Sequence, residues 1–95
     1  MKLADLKRLP VGTELRLVQN VKGSCDKKRK VVKVHSDAIE VTGEDVPAGK
    51  TSWVDIPKAK QFRDDGDGFT ILTTNGEILA KYKFVEGRWP SSLSQ

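Results

Sequence analysis

The sequence predicts an all-β protein: a small SH3-like β-barrel of five to seven short strands with a short N-terminal helix. An OB-like barrel is the alternative. Three observations carry this expectation. Apolar and polar residues alternate with period two in segments such as TELRLV and RKVVKVH, as in strands buried on one face. Turn-forming residues punctuate those segments at Gly23, Ser36-Asp37, GEDVPAGK, DDGDG, Asn75-Gly76 and Glu86-Gly87, because Gly, Asn, Asp and Ser tolerate or stabilise turn geometry. Finally, 95 residues with 37% hydrophobic content make one domain with a small core, which an all-β chain builds most economically by closing a short sheet on itself.

The elements follow in order. Leu3, Leu6 and Leu9 recur every three residues, which suits one or two helical turns with a single apolar side. Pro10 ends that pattern by disfavouring helical geometry in the residue before it. Residues 13–20 alternate, with Leu15 and Leu17 on one face and Glu14, Arg16 and Val18 on the other. NVKGSCDKK has no periodicity and reads as a loop. Residues 29–35 read as a strand with Val32 and Val34 inward, and Val31, Lys33 and His35 outward. Ser36-Asp37 turns it into AIEVT, with Ile39 and Val41 inward.

GEDVPAGK is a second loop. TSWVDIP is a strand with Val54 and Ile56 on one face and Trp53 and Asp55 on the other, ending at Pro57. KAKQFRD fits either a further strand or a bridging turn. FTILTT and EILAKYKF flank Asn75-Gly76, a dipeptide suited to a type I′ hairpin turn with φ > 0 at both central positions. Inward residues there are Phe69, Ile71, Ile78, Ala80, Tyr82 and Phe84. One domain is expected over 1–90, with 91–95 a disordered tail.

Charge is uneven. The net charge is +4 and 32% of residues are charged. Residues 22–33 hold Lys22, Lys27, Lys28, Arg29, Lys30 and Lys33 against Asp26 alone, so the positive charge is concentrated in one strip. No apolar run approaches the roughly 20 residues of a membrane span. The first residues lack the apolar centre of a signal peptide. The expected location is therefore the cytoplasm, with no membrane contact. A single Cys makes no internal disulfide.

The candidate site residues are Lys22, Lys27, Lys28, Arg29, Lys30, Lys33, His35 and Trp53. The basic strip can neutralise phosphates, or an acidic protein surface; its other role is to keep an edge strand from pairing with another sheet. Trp53 falls on the outer face by alternation, where an exposed Trp serves as an interaction hot spot. Proline-peptide recognition is disfavoured, because the first loop has no aromatic residue and no Tyr follows Pro57 at the needed spacing. The exposed aromatic platforms that single-stranded nucleic acid needs are reduced to Trp53 and Trp89.

Catalytic and metal sites are not expected. Cys25 and His35 lie ten residues apart, too far along an extended chain for a nucleophile–base contact. One Cys and one His fall short of a zinc site. DDGDG fails the calcium-loop pattern: aligning Gly68 with the obligatory glycine puts Arg63 at the first ligand position and Thr74 at the last. No phosphate-binding glycine loop or nucleophile elbow occurs.

The succession LKRLPVGTELRLV, GSCDKKRKVVKVHSDAIEV, TSWVDIPKA and DGFTIL resembles small uncharacterised proteins encoded by bacteriophages and prophages, over residues 3–84. The resemblance implies an accessory protein working in the bacterial host cytoplasm, and it carries no catalytic or binding residues. The expectation is thus a non-catalytic binding module without cofactors, monomeric or weakly self-associating. Its macromolecular partner is expected to be a protein, met by the basic rim and Trp53; nucleic acid bound by the same strip is the alternative.

Overall fold

Seven strands form one antiparallel sheet in the computed structural model, which describes residues 3–55 and 61–93. They are β1 (Glu14–Asn20), β2 (Gly23–Val34), β3 (Ala38–Thr42), β4 (Ser52–Asp55), β5 (Gln61–Asp64), β6 (Gly68–Leu72) and β7 (Ile78–Phe84). Their order across the sheet is β4-β3-β2-β1-β7-β6-β5. The sheet curls into an open half-barrel. The first four strands run as a meander, the last three as a second meander, and β7 returns to lie beside β1.

The N-terminal leucines form a 3-10 turn, η1 (Leu3–Arg8), rather than an α-helix. Leu6 and Leu9 are buried. η1 touches β3 on one arm of the curl and β5 on the other, so it bridges the concave side.

That side holds the core: Leu15 and Leu17 from β1, Val31 from β2, Ile39 and Val41 from β3, and Val54 from β4, with Phe69, Ile71, Tyr82 and Phe84 from β6 and β7. Phe69 sits among Tyr82 (ring centroids 5.3 Å), Phe62 (5.9 Å) and Trp89 (5.7 Å).

Several expectations need correction. Residues 23–28 are strand, not loop. β2 starts at Gly23, and a tight turn at Val21-Lys22 joins it to β1, closed by the Lys22 N–H donating to Asn20 Oδ1 at 2.8 Å. Gly23 has φ +119°, which only glycine adopts without strain. Apolar alternation is missing there because this half of β2 pairs with β1 beyond most of the core, where its side chains meet solvent.

Val31, not Val32, is fully buried. A β-bulge between Val31 and Lys33 adds one residue to β2, which shifts the facing of everything after it. A second bulge at Leu17/Gln19 interrupts β1 against both neighbours, so Val18 does not simply continue the Glu14–Arg16 face.

The β6–β7 connection is a three-residue loop, not a type I′ turn. Gly76 N–H donates to Thr73 O (3.0 Å), Thr73 N–H donates to Glu77 O (2.8 Å), and Gly76 alone has positive φ (+85°). That is a type I turn followed by a left-handed glycine. Ile78 and Ala80 are half-buried, with Ala80 packed against the core.

KAKQFRD resolves in part: Gln61–Asp64 is strand β5. The inward placement of Ile56 and the stop at Pro57 lie outside the described residues. Ser91–Leu93 form a second 3-10 turn, η2, and Leu93 is buried in the core, where an apolar side chain is better covered than solvated.

Candidate functional site

Paired residues on neighbouring antiparallel strands point to the same face of a sheet, so the register sorts the basic strip. Lys27 stands opposite Leu17, and Arg29 opposite Leu15. Both therefore lie on the concave side. Lys28 stands opposite Arg16, Lys30 opposite Glu14 and Thr42, and Lys33 opposite Glu40. These three lie on the outer face. The bulge after Val31 makes this possible, because it keeps Lys30 and Lys33, three residues apart, on the same side. Lys22 occupies the β1–β2 turn. The strip is thus two sets of charges facing opposite ways.

The concave pair is a clamp. The Arg29 side chain is buried, and its guanidinium grips Asp45 with both nitrogens, the second bond being Nη2 to Oδ2 at 3.0 Å. Lys27 Nζ lies 3.6 Å from the same carboxylate. The Arg29 hydrogen bond chiefly, with its charge and that of Lys27, holds Asp45 below the ordinary aspartate range despite partial desolvation. Asp45 belongs to the β3–β4 connection, which is folded as two successive turns (Val46 N–H to Gly43 O, 3.0 Å; Lys50 N–H to Pro47 O, 3.0 Å). A bidentate guanidinium–carboxylate pair fixes both distance and orientation. Arg29 is accordingly not a solvent-facing charge, contrary to its place in the expected basic rim.

The outer face carries Trp53. It is 52% exposed and lies in one cross-strand row with Glu40 and Lys33. His35, just past β2, packs its ring against Trp53 (centroids 5.1 Å) and donates from Nε2 to Glu40 Oε1 at 2.5 Å. Thr51 Oγ1 donates to the other Glu40 oxygen at 3.0 Å. The His35 hydrogen bond above all, with Thr51 and Lys33 adding to it, lowers the Glu40 pKa against the opposing effect of desolvation. The carboxylate thereby orients the imidazole, and the imidazole limits the positions open to the indole.

Two cations extend this face that the sequence did not single out. Arg16 stands opposite Lys28 on one side and opposite Lys83 on the other. Lys28, Arg16 and Lys83 form a row across β2, β1 and β7. Like charges directly opposite one another destabilise a sheet. Acids relieve the row at its flanks, with Asp26 3.7 Å from Arg16 and Asp67 3.6 Å from Lys83. Alternation alone gives the outward facing of Arg16 and Lys83; their meeting depends on β7 pairing with β1, which no local pattern encodes.

The remaining candidates resolve as structure. Trp89 is no platform: it is buried against Phe84 (4.9 Å) and donates from Nε1 to Asp64 Oδ1 at 2.9 Å. Cys25 lies within β2, near the opposite end from His35, and its thiol donates to Leu17 O at 3.4 Å. Each acid of DDGDG has a protein partner. Asp64 accepts from Gly66 N–H and Trp89, Asp65 from Thr70 and Arg63, and Asp67 pairs with Lys83. Among the described residues no cluster of three or more His, Cys, Asp or Glu is arranged to hold a metal ion, and no helix is long and apolar enough to cross a membrane.

No protein-family model, curated protein or solved structure matches the chain at a significant level. What is established is therefore an all-β half-barrel whose outer face carries one exposed indole among cations and acids.

Proposed function

We propose that the protein is a non-catalytic binding module that docks a protein partner on its outer face, through Trp53 and the cations Lys28, Lys30 and Lys33. The observation that carries this reading is the exposure of Trp53 on the same face as those three lysines. A half-exposed indole supplies the area that becomes dry on binding, and the lysines steer an acidic partner toward it. Acids interleaved on this face (Glu14, Asp26, Glu40) favour a protein over nucleic acid, because a phosphate backbone meets each of them as a repulsion. The second reading, nucleic acid, draws on the Lys28–Arg16–Lys83 row and on the His35 and Trp53 rings as stacking surfaces.

The barrel is of the SH3-like type in this reading, supported by a four-strand meander whose first strand is flanked by the last. Its tight β1–β2 turn departs from the long first loop that the type usually carries, and the fold by itself assigns no role. A phage accessory protein of the bacterial cytoplasm is the setting we propose, on the sequence resemblance alone.

The test is affinity capture from bacterial lysate with wild-type protein, Trp53→Ala, Lys28→Glu/Lys33→Glu and Lys22→Glu. A prey lost with the first two variants and kept with the third supports the assignment. Identical prey for wild type and Trp53→Ala removes the indole from the interface. In parallel, an oligonucleotide shift at about 50 mM salt that is abolished by Lys28→Glu and weakens steeply with added salt moves the assignment to nucleic acid.

A further inference from the structure

A cleft of about 420 Å³ opens between the turn before β1 and the turn after β7; it includes Glu14 of the outer face, but neither Trp53 nor Lys28, Lys30 or Lys33 lines it. Phe84 contributes to its lining. Val11, 68% exposed, and Val85, 51% exposed, also line it. They are two of the four large hydrophobic side chains left exposed among the described residues, and they come to one cleft from opposite ends of the sequence. Isolated exposed valines are ordinary; two that share a concavity with a core aromatic form a site for an apolar group.

The cleft is also preformed. Gly12 N–H donates to Val31 O (2.8 Å), Thr13 Oγ1 donates to Pro10 O (2.7 Å), Val85 N–H donates to Glu14 O (3.1 Å) and Gly87 N–H donates to Phe84 O (2.9 Å). Both walls are therefore pinned to the sheet, and a ligand need not order them.

Its charge is opposite in sign to that of the whole chain. Glu14, Glu86 and Arg88 line it, two carboxylates against one guanidinium, and none of the three has an ion-pair partner among the described residues. In a protein of net charge +4 this is a local negative site. We infer that the cleft takes an aliphatic side chain of a peptide whose neighbouring residue is Lys or Arg: the aliphatic group covers Val11 and Val85, and the cation meets Glu14 and Glu86. This inference is independent of the partner proposed for Trp53.

The experiment is a titration of isotope-labelled protein, followed by amide shifts, with two capped pentapeptides, Gly-Lys-Leu-Lys-Gly and Gly-Glu-Leu-Glu-Gly. Saturable shifts at Gly12, Val85 and Gly87 are expected with the lysine peptide, at least about fivefold tighter than with the glutamate peptide. Val85→Ser should abolish them, and Glu86→Lys should reduce the preference for lysine. Because both positions are exposed, a folded spectrum is expected for each variant, and the spectrum itself reports whether it is folded. No saturation by about 5 mM peptide, equal affinity for the two peptides, or shifts confined to the Trp53 face each overturn the inference. Shifts of the cleft amides on dilution without peptide would assign the cleft to a second copy of the chain and overturn it equally. Failure here with Trp53-dependent capture intact leaves the proposed function standing.

Discussion

The two tryptophans show how position decides what an identical side chain does. Trp89 is 7% exposed, packed on Phe84, Phe69 and Phe62, and hydrogen-bonded to Asp64. Trp89→Ala is expected to cost about 3–5 kcal/mol, a large part of the roughly 5–15 kcal/mol available to a small domain. Trp53→Ala should stay within about 0.5 kcal/mol. Urea denaturation of both variants measures the contrast; equal losses would contradict the placement of the two rings.

The Arg29–Asp45 clamp gives a second comparison. Asp45→Asn leaves a buried guanidinium without its counter-charge, whereas Arg29→Met leaves an apolar side chain beside an acid that can turn to water. Removing one partner of a buried pair costs more when the remaining charge is the trapped one. Thermal melting should therefore rank wild type above Arg29→Met, and Arg29→Met above Asp45→Asn. The clamp also sets a pH dependence. The Asp45 pKa is lowered in the folded state, so its contribution is complete above about pH 4, the unfolded range, and is lost as pH falls through the lowered value. Glu40, Asp64 and Asp65 are lowered too and act in the same direction. The urea midpoint should drop between pH 6 and pH 3, and by less in Asp45→Asn than in wild type.

At the scale of elements, strand identity was legible wherever one face meets the core and illegible elsewhere. β1, β3, β6 and β7 alternate and could be read. The first half of β2 could not, because Ser24, Lys27 and Lys28 are held in the sheet by backbone pairing with β1 while their side chains meet solvent. The bulges at Leu17/Gln19 and Val31/Lys33 were equally silent, since an added residue leaves composition unchanged yet alters which side chains share a face. For the site, the outward position of Trp53 was readable. The division of the basic strip and the recruitment of Arg16 and Lys83 were not, as both are properties of register.

Glycine marks a further constraint at this scale. A Cβ at Gly68 would lie 1.9 Å from Tyr82 O, and one at Gly43 2.1 Å from Lys28 O, backbone atoms in both cases. Gly68→Ala should push β6 off β7 and disturb the Arg63–Asp65–Thr70 hydrogen bonds that brace the β5–β6 hairpin. Loss of cooperative thermal unfolding is the expected readout, and a melt unchanged from wild type would contradict the close approach of the two strands.

At the scale of the whole molecule, the half-barrel depends on what bridges its concave side. η1 contacts both arms, and Leu6 is fully buried there. Leu6→Ala should cost about 2–5 kcal/mol. Hydrogen exchange should accelerate most in β3 and β5, the strands it touches, and least in β1, which is paired on both edges. Uniform acceleration across all strands would mean that η1 is merely one more part of the core.

The placement of β1 between β2 and β7 has a kinetic consequence. Leu17 pairs with Tyr82 and Leu15 with Phe84, so the central strand of the sheet keeps one edge open until β7, more than 60 residues later, has been made. Contacts this distant in sequence slow folding toward the millisecond-to-second range. During synthesis the meander β1–β4 emerges first, with the waiting edge of β1 exposed to any strand that reaches it before β7 does. Glu14 and Arg16, charged and pointing outward along that edge, are suited to discourage such early pairing.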